Sequence, residues 1–415
     1  MSDLGRSANS GGRKRGLAAN GLRLSALALA LAAIGPMTGT PGAFVSPAQG
    51  DGDAAELPQP PADGIMGFVV EEFIPPIIDG MDACPDGPAL KVRDAYLASL
   101  PADERQRLSL KENEKELTDL WRATAFGPDG SNVCSQPDMF DRPLIRTVQS
   151  SLAWGIDLDG DGGAGTGGSN GCAQQDFTSP AGEKGIDNQE YRAQGCKLEW
   201  RSASGERSDV SVGMKQFHAS GEWTQVILLR GVDSLVRDDD VEVIYGNTPD
   251  RPYANSEGKF LRWGTFTISD APPRHRNVLK GKIVNGVLTT EPKDIELTET
   301  WGQGGARDIR GNRTTYDFRE GRLKLTFQPD GSLTGVVGGY RPLFDLIASP
   351  AIGGVGSHLV AGIDCAAELA TIKHLADGLK NPKTGQCEGI SSAQSIRAIP
   401  AFVNDVPKRP KTVAR

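Results

Sequence analysis

The chain has 415 residues, and 45 lysines and arginines stand against 53 aspartates and glutamates, so its formal net charge is −8 at pH 7. An acidic balance argues against a nucleic-acid partner, because the phosphate backbone requires a basic surface.

The first 48 residues have the features of an export signal. Four basic residues between positions 13 and 23 precede an apolar run from Leu24 to Ile34, which has the length of a signal-peptide core. The run is shorter than the roughly 20 apolar residues that span a bilayer, although an uncleaved membrane anchor is the alternative. Ser46-Pro47-Ala48 predicts cleavage after Ala48. Loss of five basic residues and one acidic residue would then change the net charge to −12.

Two segments follow the predicted signal. Residues 49–80 are acidic and rich in proline and glycine, which predicts an extended linker. Apolar residues at helical spacing then continue from Leu90 to about Ala125, before Gly127 and Pro128. This pattern predicts a helical segment within residues 81–145. No later segment of the chain is apolar enough to suggest a transmembrane helix.

The period changes to two from about residue 146, and residues 146–403 predict a β domain. Asn285-Gly286 between two apolar pairs is a strong hairpin signal, and Pro329-Asp330-Gly331 predicts a second turn. Strands at this spacing without intervening helices favour a sandwich or jelly-roll-like core. The predicted strands include residues 223–229, 241–245, 263–268, 323–327, 333–337 and 396–403. Trp223 and Trp263, which begin two of them, are expected in the core.

The end of the domain is expected to form a helix–loop clip, with a helix from Asp364 to Leu379. Pro400 restricts the last strand to a sheet edge, because proline lacks the N–H that a central ladder uses. Residues 404–415 form a basic tail.

Six cysteines remain after the predicted signal, and an even number in an exported chain favours disulfides. Their order suggests three local pairs, namely Cys84–Cys134, Cys172–Cys196 and Cys365–Cys387. A thiolate metal site is the alternative, but no Cys-x-x-Cys spacing supports it. The first pair would close the helical segment, and the third would close the C-terminal clip.

The most specific indication of a binding site is an Asp-x-Asp-x-Asp-Gly run from Asp157 to Gly162. Closely spaced carboxylates with glycines at the bends suit a hard cation such as Ca²⁺. The twelfth position is Gly168 rather than the closing glutamate, which excludes an EF-hand. Distant oxygens from Asp176 or Asp187 would have to complete the site. The alternative is a solvated turn, because aspartate and glycine are also the ordinary residues of turns.

Other candidate sites are less specific. Asn188 and Gln189 lie between two cysteines and could bind a ligand or hydrogen-bond the loop backbone. Trp301 lies in a polar, glycine-rich setting and is the best candidate for a stacking platform. No zinc-hydrolase motif, nucleophile elbow or phosphate-binding loop is present. Ser357 would be the nucleophile of a hydrolase.

Several stretches resemble a group of secreted bacterial proteins that has no established function. The resemblance implies an exported single-unit protein with pairs of cysteines, and it implies no activity. The matching stretches are Cys84 to Gly87, Tyr96 to Pro101, Gly185 to Gln189 with Gly195-Cys196, and Lys383 to Cys387 with Ile390 to Ala393.

The sequence therefore predicts an exported, non-catalytic binding or cell-envelope protein, periplasmic or extracellular. Ca²⁺ would order its acidic loop, and its partner would be an unidentified small molecule, glycan or envelope component. The alternative function is a secreted hydrolase acting on a polymer or ester.

Overall fold

Strands dominate the structure, which is a computed structural model. It describes residues 56–168, 171–202, 218–219, 223–268, 275–298, 315–348 and 362–406. The predicted signal peptide, Trp301 and Ser357 lie outside these residues, as does the basic tail beyond residue 406. Thirteen strands occur in the described ranges: β1 Met66–Ile74, β2 Phe177–Thr178, β3 Lys184–Ile186, β4 Gln225–Arg230, β5 Arg237–Asn247, β6 Thr265–Ile268, β7 Arg276–Val284, β8 Val287–Thr290, β9 Lys293–Thr298, β10 Thr315–Phe327, β11 Leu333–Pro342, β12 Gly378–Lys380 and β13 Cys387–Asp405.

Helices are short and lie mainly in the N-terminal part and near the end of the chain. None of those in the described ranges is long and apolar enough to cross a membrane. The helices of these ranges are α1 Val92–Ser99, α2 Ala102–Leu108, α3 Glu114–Ala125, α4 Gln189–Gln194, α5 Leu343–Ala348 and α6 Cys365–His374, with 3₁₀ turns at Lys111–Asn113 and Pro137–Met139. Helices α1 to α3 lie within the segment that was predicted to be helical.

Eight antiparallel strands close into a barrel, in the order β1-β4-β5-β7-β8-β10-β11-β13 and back to β1. The closing pair is β1 with β13, which are aligned from Gly67 opposite Ala401 to Ile74 opposite Ser395. The predicted sandwich or jelly roll is therefore wrong. Sandwiches and barrels share the same alternation along each strand, and only the pairing of the first strand with the last distinguishes them.

The barrel interior is an apolar core. In β4, Ile227 and Leu229 belong to the central cluster, whereas Val226 and Leu228 face outward and pack with Phe260 and Phe266. This is the period-two alternation that was predicted for the strands. The β7–β8 hairpin turns at Asn285 and Gly286, whose φ angles of 51° and 76° fit the predicted two-residue turn.

Strand β1 lies inside the segment that was predicted to be a linker. Phe68, Val69 and Val70 are almost completely buried, so this segment is part of the fold. The flanking prolines and glycines obscured a strand that is only nine residues long.

The prediction that Pro400 restricts the last strand to a sheet edge is also wrong, because β13 pairs with β1 on one side and with β11 on the other, and Pro400 itself lies opposite Phe68 of β1. On the opposite side, the Pro400 carbonyl accepts a hydrogen bond from the backbone of Trp263 (2.7 Å). Strand β11 does not extend as far as Pro400, because its pairing with β13 stops at Ala398. The missing N–H of Pro400 therefore removes no ladder bond.

A layer of loops and short helices covers one outer face of the barrel. Arg322 of β10 donates to the backbone carbonyls of Asp157 (2.6 Å) and Leu158 (2.9 Å). The backbone N–H of Gln189 donates to the Ser391 hydroxyl of β13 (2.8 Å). These bonds attach the acidic loop and helix α4 to the barrel wall.

All six cysteines form disulfides, as expected, but the three predicted pairs are wrong. The bonds are Cys84–Cys196, Cys134–Cys365 and Cys172–Cys387, with sequence separations of 112, 231 and 215 residues. Pairing by order assumed that each bridge closes a local loop. Instead, two bridges join the outer layer to α6 and β13, which are close to it only in the folded chain.

Candidate functional site

The acidic loop is a series of turns that its own carboxylates stabilise. The Asp157 carboxylate accepts from the Gly160 N–H (2.7 Å), and that of Asp159 accepts from the Asp161 N–H (2.9 Å). Gly160 and Gly162 have φ angles of 76° and 66°, which glycine adopts without strain. The aspartates therefore do build turns, as the alternative to a metal site supposed. Each of these bonds uses one oxygen of its carboxylate.

Asp187 comes to this loop from the end of β3. A backbone bridge joins Ile156 to Asp187, and the Asp187 carboxylate accepts from the Leu158 N–H (2.6 Å). Gly155 permits the approach, because a Cβ there would lie 2.8 Å from the Asp187 carbonyl oxygen. The backbone bridge to Ile156 and the hydrogen bond from Leu158 therefore fix the position of the Asp187 side chain.

The carboxylates of Asp157, Asp159 and Asp187 form one cluster, which we call the carboxylate triad. One oxygen from each lies within 4.8 Å of the other two. Asp187 is only 4% exposed. No lysine or arginine of the described chain lies within ion-pair distance of the triad. Three carboxylates therefore converge without an ion pair to a described basic side chain, and such a set of oxygens suits a hard divalent ion.

Electrostatics at Asp187 reflect this uncompensated charge. Burial is the main cause that raises its pKa to about 8, and the charges of Asp377 and Asp159 raise it further against the hydrogen bond from Leu158. Burial also raises the pKa of Asp159, with contributions from the charges of Asp161 and Asp157. Without a bound cation, Asp187 therefore holds a proton near neutral pH that a cation would displace.

Asp377 lies beside the triad and was not identified from the sequence. It is 5% exposed, and one of its carboxylate oxygens accepts from the Ser391 N–H (2.6 Å). Its other oxygen has no hydrogen-bond partner among the residues that the structure describes. Burial raises its pKa to about 7, opposed by the bonds from Ser391 and increased by the charge of Asp159. No local motif marks Asp377, because the pairing of β12, which follows it, with β13 brings it to the site.

The remaining two predicted metal ligands form a neighbouring pair. Asp161 accepts from the N–H groups of Gly163 and Thr166 (both 2.7 Å). Burial alone would raise the pKa of Asp161, but these bonds outweigh it and the pKa is lowered. Burial and the charges of Asp161 and Asp159 raise the pKa of Asp176 to about 6. All five predicted residues are thus in one neighbourhood, and three of them form the triad.

Asn188 and Gln189 have structural roles in the described chain. Asn188 caps helix α4, since its side-chain oxygen accepts from the Tyr191 N–H (3.1 Å) while its amide donates to the Trp154 carbonyl (2.8 Å). The Gln189 amide donates to the Gln175 carbonyl (2.8 Å) and its oxygen accepts from Arg192 (2.8 Å). Both residues are at most 1% exposed. The backbone-bonding alternative therefore accounts for them.

Trp263, which was expected in the core, is instead 60% exposed. Its φ angle is 63°, a left-handed conformation that costs energy for any residue with a Cβ. Its ring packs on the exposed Phe402, with the ring centroids 5.8 Å apart. A position just before a strand does not show whether a side chain points inward.

Comparison with protein-family models, with curated proteins and with solved structures gives no match.

Proposed function

We propose that this protein is an exported, non-catalytic binding or cell-envelope protein whose outer layer is ordered by Ca²⁺ at the carboxylate triad. The observation that carries the proposal is the convergence of Asp157, Asp159 and Asp187 within 4.8 Å, with Asp187 buried. Their charges have no basic partner in the described chain. Burial of Asp187 raises its pKa to about 8, so a bound cation would displace the proton and stabilise the ionised carboxylate.

The donor set suits Ca²⁺ better than a transition metal. Ca²⁺ takes six to eight oxygen ligands in flexible geometry, and it accepts carboxylates in one- or two-oxygen contact. The triad offers only carboxylate oxygens, without histidine or free thiolate, and zinc or copper prefers those softer ligands. The triad would supply three negative charges, and nearby backbone carbonyls or water would complete the shell.

Export is supported by two independent features. The N-terminal segment has the basic start and apolar run of a signal peptide. The six cysteines are all in disulfides, which persist in oxidising compartments and are rare in reducing ones.

Thermal melting of the oxidised protein in Ca²⁺ and in EGTA tests the cation site. A ligand at about 100 times its Kd adds about 2.7 kcal/mol when it binds only the folded state. The double variant Asp157→Asn with Asp159→Asn should lose this shift, and Mg²⁺ should give a smaller one. Asp238→Asn with Asp239→Asn, which neutralises two acids elsewhere on the chain, is the matched control. An equal Ca²⁺ shift in both double variants would refute the triad as the site.

A further inference from the structure

A cleft of about 1180 Å³ lies beside the outer layer. One wall is the 3₁₀ turn Pro137–Met139, another is helix α6, and a third is formed by residues 171–174 with the end of the β12–β13 turn. The volume slightly exceeds the range of about 300–1,000 Å³ that is typical of small-molecule sites. The cleft is therefore large enough to hold a drug-sized ligand or a long chain.

Two disulfides brace the walls of this cleft. Cys134–Cys365 joins the 3₁₀-turn wall to helix α6. Cys172–Cys387 joins the two parts of the third wall, residues 171–174 and the end of the β12–β13 turn. The Gln174 amide also donates to the His374 carbonyl at the end of α6 (3.0 Å). The cleft is thus pre-formed, and a ligand entering it would not have to order the walls.

Aliphatic side chains provide most of the apolar lining. Leu369 and Ala376 come from α6, while Pro342 and Leu343 come from the junction of β11 and α5. Met139 stands at the cleft with 63% of its surface exposed. Methionine adapts its shape to apolar ligands of different outline. No aromatic ring occurs among the described lining residues, so the described lining suits an aliphatic chain better than a sugar or a nucleobase, which stack on aromatic rings.

The charged side chains at the cleft already have partners. Lys373 pairs with Asp138 across the walls. Glu388 accepts from the Asn381 amide (2.7 Å). Uncharged polar side chains of the lining include Ser135 and the amides of Gln136 and Gln386. Among the described lining residues, the one lysine is thus paired with an aspartate and the Glu388 carboxylate is held by an amide, so the groups left to bind an uncharged head group are neutral hydrogen-bonding side chains.

We propose that this cleft binds an aliphatic chain with an uncharged polar head group. The chain occupies the surface formed by Leu343, Leu369 and Met139, and the head group faces the glutamine amides. The inference deepens the proposed binding role by naming a ligand class. It does not depend on the carboxylate triad, because no triad residue lines the cleft.

Isothermal titration with decyl and dodecyl maltoside, each below its critical micelle concentration, tests this proposal. Loss of two buried methylenes should weaken binding about fifteen-fold from dodecyl to decyl. Maltose alone should not bind. The titrations are run in EGTA and in Ca²⁺, so binding in EGTA supports the cleft even if Ca²⁺ fails to shift the melting temperature. Equal affinities for the two detergents, or binding of maltose alone, would overturn the proposal.

Two substitutions locate the site. Ala173 is exposed and lines the cleft, so Ala173→Trp should fill it and weaken dodecyl maltoside binding at least ten-fold. Ala181 is exposed outside the cleft, and Ala181→Trp should bind as the wild type does. Met139→Asp places a charge at an exposed position of the lining and should also weaken binding, which provides a second variant if Ala173→Trp does not fold. Wild-type affinity in a folded cleft variant would refute this location.

Discussion

Replacement of Asp187 by asparagine should separate the two roles assigned to its carboxylate, an unpaired buried charge and a cation ligand. The pKa is about 8 in the folded protein and about 3.9 in an unfolded chain. Below about pH 4 this carboxyl is protonated in both states, and the folded protein has its full stability. As the pH rises from 4 to 8, the unfolded chain ionises first, so the free energy of unfolding falls. Between pH 5 and pH 8, three pH units at 1.36 kcal/mol each correspond to a loss of about 4 kcal/mol in the metal-free protein.

Asparagine cannot ionise, yet its oxygen can still accept the hydrogen bond from Leu158. In EGTA, the Asp187→Asn variant should therefore be more stable than the wild type at pH 8 by several kcal/mol, and the difference should shrink at pH 5. In Ca²⁺ at pH 8, the order should reverse or the gap should close, because only the wild type gains the binding energy. Urea denaturation followed by tryptophan fluorescence, at both pH values and with both additives, gives the four free energies of unfolding.

Asp103→Asn is the control, since Asp103 is exposed on helix α2 and lies in a different part of the chain from the triad. Its effect should stay within about 1 kcal/mol at each pH and should not depend on Ca²⁺. Equal stabilities of Asp187→Asn and the wild type in EGTA at pH 8 would refute the account of the buried charge. A full Ca²⁺ shift in Asp187→Asn would remove Asp187 from the set of ligands.

Three further substitutions test other parts of the structure by denaturation in urea. Replacing Cys172 and Cys387 by serine should cost about 3–5 kcal/mol, because this bridge constrains a long loop of the unfolded chain, and an unchanged midpoint would argue against the pairing. Glu190→Ala should cost about 3–5 kcal/mol, since it removes one member of an ion pair whose two side chains are at most 4% exposed; a loss below 1 kcal/mol would contradict the buried ion pair. Trp263→Gly should cost less than about 1 kcal/mol, in contrast to the 3–5 kcal/mol typical of a buried tryptophan, because it relieves a positive φ at an exposed position. A large loss there would restore the expected core role.

Local features of the fold could be predicted from the sequence. The Asn285-Gly286 turn appears where its backbone preference places it, and the strands alternate as their apolar residues do. Helix α6 begins after Asp364, whose side chain accepts from the Ala367 N–H (3.1 Å) and so caps the helix. Each of these features depends on residues within one or two turns of the chain.

Features that depend on distant partners were missed. Closure of the barrel requires β1 to meet β13, and neither strand carries a signal for the other. The residues of β13 near Ser391 are small and polar, so they do not have the apolar alternation of a strand. The candidate site divides in the same way. The acidic loop and Asp187 were identified from short motifs, whereas Asp377 is brought to them by the folded sheet.

The pattern of the disulfides has a consequence for how the chain reaches this structure. Synthesis proceeds from the N-terminus, so Cys84 and Cys134 emerge first, but neither is the partner of the other. Cys134 and Cys172 must stay unpaired, or be released from a wrong bridge, until α6 and β13 have emerged. Since β13 also closes the barrel, maturation of the oxidised protein should depend on thiol–disulfide isomerisation. If the cysteines were oxidised in the order in which they are synthesised, the wrong bridges would trap the chain before β13 could close the barrel.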